Sequence, residues 1–205
     1  MVNNLFSPFF WQESLHETSQ IENSYLSKIL DNYKAHPNLS PDWDVHTSYN
    51  NEENLLHPID WWDSVQFYKH SVNKFIKSYF GVNHDWEICG SPWYTAYGKN
   101  QYAERHEHFP DHFSFVHFLK FNPKVHSPIT FVNPNSLVAK GSLQDKNFKD
   151  KINFSNLNHS LYHPLYSPVI SQGDYIIFNS NLEHFVEKSQ SDELRITIAF
   201  NIKIK

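Results

Sequence analysis

The strongest constraint on the fold comes from the chain after Gly81, where short runs of β-forming residues alternate with turn residues. The runs are rich in Val, Ile, Thr, Tyr, Phe and Trp, and Gly, Pro, Asn or Asp separate them. About eight strands of this length, with turn signals between them, predict a β-sandwich or β-barrel rather than an α/β sheet. The runs read WEICG, PWYTAYG, EHF, FSFVHFLKF, PITFVNP, PVISQG, DYIIFNS, EHFVEK and RITIAFNIKIK.

Two helical patterns precede the β-rich part. Residues 22–34 place apolar side chains on one helical stripe, and a His-Pro pair ends the pattern. Residues 59–79 repeat this spacing until Gly81, a residue type that commonly follows the last helical turn. The stretch between them, residues 37–56, has the composition of a loop. We therefore expect two helices that cover one face of a sheet.

Length and composition fit a single domain. The chain has 205 residues, 17% of them aromatic, which is enough to bury a substantial core. We expect residues 1–81 to form a helical support region and residues 82–205 to form the β core. Residues 135–168 are polar, irregular and too long for a plain connection, so they are a candidate lid or substrate-binding segment.

Charge, hydropathy and cysteine content narrow the function and the location. The formal net charge is −5 and no two Lys or Arg residues are adjacent, which argues against nucleic-acid binding. No stretch reaches the roughly 18 to 20 apolar residues of a membrane helix, and the first residues lack the pattern of a signal peptide. Cys89 is the one cysteine, which excludes an internal disulfide framework. We expect a cytoplasmic protein.

Histidines cluster in the β-rich part. Five of the fourteen histidines lie between His106 and His126. On a strand, His106 and His108 would point to the same face, where two imidazoles can bind one metal ion at about 2.1 Å, while Glu107 would point away. A third ligand has to come from elsewhere, and His184, after the run DYIIFNS, is the best candidate.

The histidine pair belongs to a longer pattern. The spacing Y-x-x-x-G-x-x-x-Y-x-x-x-H-x-H comprises Tyr94, Gly98, Tyr102, His106 and His108. The segments SFVHFL, ITFVNPN and QGDYIIFNSNLEHFVEKSQSDELRITIAFN follow. Over roughly residues 90–203 this order resembles the 2-oxoglutarate and iron(II)-dependent oxygenases, particularly a phage and bacterial branch that is similar to prolyl hydroxylases in the C-terminal half. The resemblance implies a mainly β fold, a double-stranded β-helix or jelly roll, with the helices packed on one sheet.

The resemblance also implies a metal centre. In this family a His-x-Asp or His-x-Glu pair and a distal histidine hold iron(II). By position, His106 matches the first histidine and His184 the distal one, whereas His108 stands where the family more often has a carboxylate. Three neutral imidazoles leave the iron with one more positive charge than two imidazoles and a carboxylate. Asp111 is a possible substitute ligand, but Pro110 before it is incompatible with regular strand geometry.

The last strand carries the residues that the resemblance implies for 2-oxoglutarate. Arg195 matches the family's basic residue that pairs with the distal carboxylate, a task suited to the planar guanidinium. Thr197 lies on the same strand face and offers a hydroxyl. The hydroxyls of Tyr94 and Tyr102 are further candidates for contact with 2-oxoglutarate, and His117 is a candidate for the pocket wall. The opposite face of the last strand is expected to pack under the helices through Ile196, Ile198, Phe200 and Ile202.

The implied function is that of a dioxygenase. It would use iron(II), 2-oxoglutarate and O2 to hydroxylate a substrate, with decarboxylation of 2-oxoglutarate to succinate. Two alternatives stay open. A three-histidine, cupin-like dioxygenase would keep the fold and the metal without 2-oxoglutarate, and a phage structural or accessory β-sandwich would carry the histidines without catalysis. The residues do not distinguish a peptide from a small-molecule substrate, and they leave the oligomeric state open.

Overall fold

The computed structural model describes residues 10–15, 19–36, 45–49, 66–135, 144, 146–151 and 163–205. Within these ranges the helices are α1 (Ser19–Ala35), α2 (Gln66–Phe80) and the short α3 (Lys146–Lys149). The first two confirm the predicted pair. The predicted start of the second helix, residues 59–65, lies outside the described residues.

Helix α2 illustrates how the sequence pattern produces the packing. Gly81 ends the helix with a φ of +76°, and its backbone N–H donates to the carbonyl of Lys77 at 3.0 Å. Complete burial of an aromatic or branched aliphatic side chain contributes about 1.5–3 kcal/mol, so the apolar stripe holds the helix to the sheet. The buried side chains of α2 recur at helical spacing: Tyr68, Val72, Phe75 and Ile76.

Within the described residues, ten strands form two antiparallel sheets. The strands are β1 (Phe10–Ser14), β2 (His46–Thr47), β3 (Trp86–Tyr97), β4 (Ala103–His106), β5 (Phe113–Lys120), β6 (Ile129–Val132), β7 (Leu165–Tyr166), β8 (Asp174–Asn179), β9 (His184–Val186) and β10 (Arg195–Ile204). The larger sheet has the order β1-β8-β5-β10-β3-β2, and the smaller has the order β4-β9-β6-β7. This arrangement agrees with the predicted double-stranded β-helix with helices on one sheet.

Alternation along the strands divides the core into two layers. One layer lies between the larger sheet and the helices, where Ile196, Ile198, Phe200 and Ile202 of β10 are packed with residues of α1 and α2, as predicted. The other layer lies between the two sheets and contains Phe118 of β5, Phe131 of β6 and Phe178 of β8. Arg195 and Thr197 lie on the side of β10 that faces away from the helices, because the side-chain period of a strand is 2.

Several strands differ from the prediction. WEICG and PWYTAYG form one strand, β3, with a bulge: Ala199 pairs with Trp93 while Asn201 pairs with Cys89, and Gly90 within the bulge has a φ of +69°. The runs EHF and PVISQG are not strands. A turn follows β4 at once, and the strand that pairs with β6 is the short β7, which precedes the run PVISQG.

The N-terminal region adds two strands that the sequence analysis missed. β1 pairs with β8 along Phe10 to Ser14, and β2 pairs with β3 along two residues. Residues 1–81 therefore contribute the edge strands of the larger sheet as well as the two helices that cover it. β2 is too short to show a period of 2, and the charged and polar residues of β1 gave no alternation to recognise.

The described part of the candidate lid contains α3 and β7, and the rest of residues 135–168 lies outside the described residues. Its role as a lid stays a prediction. None of the helices that the structure describes is long and apolar enough to cross a membrane.

Candidate active site

Three histidines lie close together near the end of β4 and the start of β9: His106, His108 and His184. His106 is the last residue of β4 and pairs directly with His184, the first residue of β9. His108 lies two residues beyond the strand, where its backbone N–H donates to the carbonyl of Ser180 at 2.7 Å. One ring nitrogen from each histidine lies within 4.8 Å of the others, so one metal ion can contact all three.

The structure brings the rings of His106 and His108 together, as the strand argument predicted, but by a different backbone geometry at His108. β4 ends at His106, so the strict alternation of a strand does not continue to His108. The hydrogen bond to Ser180, at the end of β8, places His108 instead. Glu107 was expected to point away, yet it contributes to the lining of the cavity beside the histidines, because the chain turns after the strand.

Backbone carbonyls orient two of the imidazoles. Nδ1 of His106 donates to the carbonyl of Glu104 at 2.7 Å, and Nδ1 of His184 donates to the carbonyl of Leu182 at 2.8 Å. Because Nδ1 carries the proton in each case, Nε2 is the free lone pair. These hydrogen bonds fix the orientation of each ring and leave Nε2 available to bind a metal ion. Metal-bound histidines commonly donate a hydrogen bond from their other ring nitrogen in this way.

Burial favours the neutral form of two of the imidazoles, which is the form that binds a metal ion. The pKa of His108 is lowered to about 4, first by burial and then by the neighbouring charge of His106. Burial also lowers the pKa of His184 well below its usual value, and the two neighbouring histidines add to the effect. The ring of His184 lies 4.3 Å from that of His106 and 4.9 Å from that of Phe178, centroid to centroid.

Arg195 lies at the start of β10 on the side facing the smaller sheet. Its side chain is buried, and Nε and Nη1 have no hydrogen-bond partner among the described residues. The guanidinium carbon lies 4.6 Å from the ring centroid of Tyr97 and 5.4 Å from that of Phe118. Burial lowers the pKa of Arg195, while a hydrogen bond to Tyr97 opposes that shift. A buried cation with two unpartnered donors is suited to an anionic ligand such as a carboxylate.

A cavity of about 430 Å³ lies beside the histidines. β3 supplies one wall through Trp93, Thr95 and Tyr97, which share a strand face with Thr197 and Arg195 by register. Tyr102, one of the predicted residues, also lines the cavity. The remaining lining residues are Val45, Thr47, Tyr49, Ala103, Glu104, Arg105, His106, Glu107 and His108.

Comparison with protein families identifies the chain. A family model for 2OG-Fe(II) oxygenases matches residues 91–201, more than half of the sequence. The chain belongs to the 2OG-Fe(II) oxygenase family. The predictions of an oxygenase and of iron(II), 2-oxoglutarate and O2 as its cofactor and cosubstrates are thereby confirmed at the level of the family. Nothing in the comparison distinguishes a phage branch.

Solved structures share the fold of this oxygenase at low sequence identity. AviO1 from Streptomyces viridochromogenes Tue57 is 11% identical with a TM-score of 0.61, over 96% of this chain and 90% of that one. HygX from Streptomyces hygroscopicus, solved with nickel and 2-oxoglutarate bound, is 12% identical with a TM-score of 0.57, over 96% and 82%. A prolyl-4-hydroxylase from Pseudomonas putida is 10% identical with a TM-score of 0.55, over 97% and 94%. Comparison with curated proteins gives no significant match.

Two residues predicted for the site of the oxygenase lie elsewhere. Tyr94 is on the helix-facing side of β3, where its hydroxyl accepts a hydrogen bond from Asn32 Nδ2 at 2.6 Å. His117 also faces the helices and hydrogen-bonds to Tyr68. Tyr94 and Tyr97 are three residues apart on β3. Because side chains alternate between the two faces of a strand, Tyr97 faces the cavity and Tyr94 faces the helices.

Sequence reasoning missed Tyr97 and the aromatic wall. Tyr97 directly opposes Arg195 in the β3-β10 pairing, so the two side chains lie on the same face of the sheet. The sequence could have indicated this only once the pairing was known, because the register decides that Thr95 and Tyr97 share a face with Arg195. The ring of Trp93 lies 5.6 Å from that of His108 and 5.0 Å from that of Tyr49. Tyr49 follows β2, a strand that the sequence did not reveal.

Proposed function

We propose that this oxygenase is a hydroxylase in which His106, His108 and His184 hold iron(II) and Arg195 binds the distal carboxylate of 2-oxoglutarate. The observation that carries the proposal is the buried guanidinium of Arg195, whose Nε and Nη1 lack partners among the described residues while three imidazoles converge near the same cavity. Thr197 and the cavity residues Tyr97 and Tyr102 are the proposed hydroxyl partners of the cosubstrate.

When bound, the iron and 2-oxoglutarate supply the oxidation, in which 2-oxoglutarate is decarboxylated to succinate and an oxygen atom of O2 is transferred to the substrate. The chain positions these groups. Nδ1–H bonds to backbone carbonyls hold the rings of His106 and His184 with Nε2 directed to the metal position. Arg195 would orient the dicarboxylate through charge-assisted hydrogen bonds from its unpartnered Nε and Nη1. Phe118 and Phe178 form part of an apolar layer between the sheets that excludes water from this end of the site.

A three-histidine dioxygenase that does not use 2-oxoglutarate is the second candidate. The all-imidazole donor set favours it, because the described residues offer no carboxylate within the metal-binding group. The unpartnered Arg195 opposes it, because a buried guanidinium without an anionic ligand costs free energy and serves no purpose. The third alternative, a non-catalytic β-sandwich, does not agree with membership of an oxygenase family.

The proposal is tested by anaerobic titration of 2-oxoglutarate into the iron(II)-loaded protein while the visible absorbance is recorded. Chelation of the metal by the 2-keto acid produces a charge-transfer band, which is expected to saturate. His106→Ala and His184→Ala are expected to lose metal and band together, and Arg195→Ala is expected to keep the metal but weaken the affinity for 2-oxoglutarate. His70→Ala, an exposed histidine on α2, is the matched control.

Each outcome distinguishes a candidate. A saturable band that depends on the three histidines supports the hydroxylase. Stoichiometric iron without a band supports the three-histidine dioxygenase. Protein that binds no iron in the purified, folded state contradicts both.

We also propose that residues 1–205 form one oxygenase domain, with the helical region and the β core as parts of the same unit. Support comes from β1 and β2, which extend the larger sheet at both edges. Tyr25 and Ile29 of α1 are packed in the same buried cluster as Ile198 of β10.

A further inference from the structure

The cavity has two ends along the face of β3. Tyr97 marks one end, beside Arg195, and Trp93 marks the other, beside His108. Trp93 and Tyr97 are four positions apart on an extended strand, a distance of about 13 Å. If Arg195 binds the cosubstrate as proposed, 2-oxoglutarate takes the Tyr97 end, and the Trp93 end is left for the substrate.

Aromatic rings build the Trp93 end. The ring of Trp93 lies 5.0 Å from that of Tyr49 at an interplanar angle of 67° and 5.6 Å from that of His108. The indole of Trp93 is thereby held between a histidine of the proposed metal centre and an aromatic ring of the segment after β2. Aromatic faces of this kind bind apolar rings and, through the ring quadrupole, cations.

The charges of the cavity favour a cation. Glu104 and Glu107 line it, both residues are exposed, and neither side-chain carboxylate forms a hydrogen bond or ion pair with the described part of the chain. Arg105 is the one basic residue among the described lining residues, and its guanidinium lies 5.5 Å from the ring centroid of Phe185, on the outer face of the smaller sheet. The guanidinium of Arg105 therefore packs on a ring that does not line this cavity. The carboxylates of Glu104 and Glu107 raise the local concentration of cations at the cavity and lower that of anions.

We infer that the substrate carries a positively charged nitrogen, an amine or guanidinium, which is bound by Trp93 and Tyr49 with Glu104 and Glu107 at the rim. This inference rests on the proposed function, since it takes the metal and 2-oxoglutarate positions as given. The cation belongs to a small molecule or to a basic residue of a peptide, and the two sources share the same recognition.

The test uses the full-length iron(II) protein and pairs of compounds that differ in charge. N-acetyl-lysine amide is compared with its ε-acetylated form, and N-acetyl-arginine amide with N-acetyl-citrulline amide. The same lysine and acetyl-lysine are also placed in a glycine pentapeptide to distinguish a peptide source from a small molecule. The readouts are the rate of 2-oxoglutarate consumption in air and, without oxygen, the shift of the 2-oxoglutarate charge-transfer band that each compound causes.

The charged member of a pair is expected to stimulate 2-oxoglutarate consumption and shift the band, and the neutral member is expected to do so at least tenfold more weakly. A cation–π contact is worth roughly 0.5–2 kcal/mol, so Trp93→Leu is expected to raise KM for the cation about 2- to 30-fold. Glu104→Gln with Glu107→Gln is expected to raise the same KM while the affinity for 2-oxoglutarate is unchanged. Glu187→Gln, an exposed carboxylate outside the cavity lining, is the control.

The inference is overturned if the band forms normally but the neutral compounds act as well as the cations, or if no cation of the panel changes either readout at millimolar concentration. Failure of the band itself is a different result, because it contradicts the proposed function rather than the substrate class.

Discussion

Replacement of Arg195 by methionine is expected to have opposite effects on the stability of the empty protein and on its affinity for 2-oxoglutarate. Arg195 is buried with Nε and Nη1 unpartnered among the described residues. Methionine has a similar length and no charge, so it fills the same space without the unsatisfied donors. The substitution therefore separates what Arg195 costs the fold from what it contributes to ligand binding.

The effect on stability is a difference of two terms. Each buried donor without a partner costs about 1–3 kcal/mol, which Arg195→Met removes twice. Contacts of the guanidinium with the rings of Tyr97 and Phe118, at 4.6 and 5.4 Å, stabilise the folded state by about 0.5–2 kcal/mol each, and the hydrogen bond to Tyr97 contributes about 0.5–1.5 kcal/mol. The substitution loses these contributions. The terms nearly cancel, so the free energy of unfolding of the metal-free, ligand-free protein is expected to stay within about 1 kcal/mol of wild type or to rise.

The substitution Arg195→Met is expected only to weaken the binding of 2-oxoglutarate. Two charge-assisted hydrogen bonds to a carboxylate contribute about 1.5–3 kcal/mol each, so their loss raises the Kd of 2-oxoglutarate by at least about 100-fold. Arg195→Lys keeps the charge but not the fork of parallel donors, and an intermediate Kd is expected. Iron(II) affinity is expected to be unchanged, because Arg195 lies outside the group of three histidines.

Urea unfolding of the empty proteins gives the first quantity, and anaerobic titration of the charge-transfer band gives the second. A loss of more than about 3 kcal/mol in the empty Arg195→Met protein, together with an unchanged Kd for 2-oxoglutarate, would show that Arg195 is a structural cation and that the reasoning is wrong. A variant that keeps its stability and loses 2-oxoglutarate confirms it.

Two further predictions concern stability. Burial lowers the pKa of His108 from 6.5 to about 4 in the folded protein, so between those pH values the unfolded chain binds more protons than the folded one and the metal-free protein loses stability as the pH falls. His108→Gln is expected to remove roughly 1–3 kcal/mol of the loss between pH 7 and pH 4 in urea unfolding, and equal losses in the two proteins would contradict this. Phe115→Ala deletes a ring that lies 4.4 Å from Phe200 and 5.1 Å from Tyr175, centroid to centroid, on the helix-facing side. It is expected to lower the free energy of unfolding by about 3–5 kcal/mol and to leave the Kd of 2-oxoglutarate unchanged, and a loss below about 1 kcal/mol would show that this layer is not the main core.

The sequence by itself determined the features that depend on local period and on residue chemistry. Apolar spacing placed α1 and α2, and the alternation along β10 separated Ile196 and Ile198 from Arg195 and Thr197. Strand runs with turn residues between them predicted the class of fold. Two histidines one residue apart, a distal histidine and a later arginine indicated the metal chemistry, because few other arrangements use those residue types together.

Only the tertiary structure decided which residues meet. β1 and β2 join the larger sheet through ladders to partners far along the chain, and a strand of two residues has no period of its own. His108 reaches the metal-binding group through a bond to Ser180, at the end of another strand, rather than through strand parity. Tyr97 rather than Tyr94 faces Arg195 because the register of β3 against β10 sets which side of the strand is inside. Contacts between residues distant in sequence set the pairing register and the loop positions. The local secondary-structure propensities of the sequence therefore do not predict them.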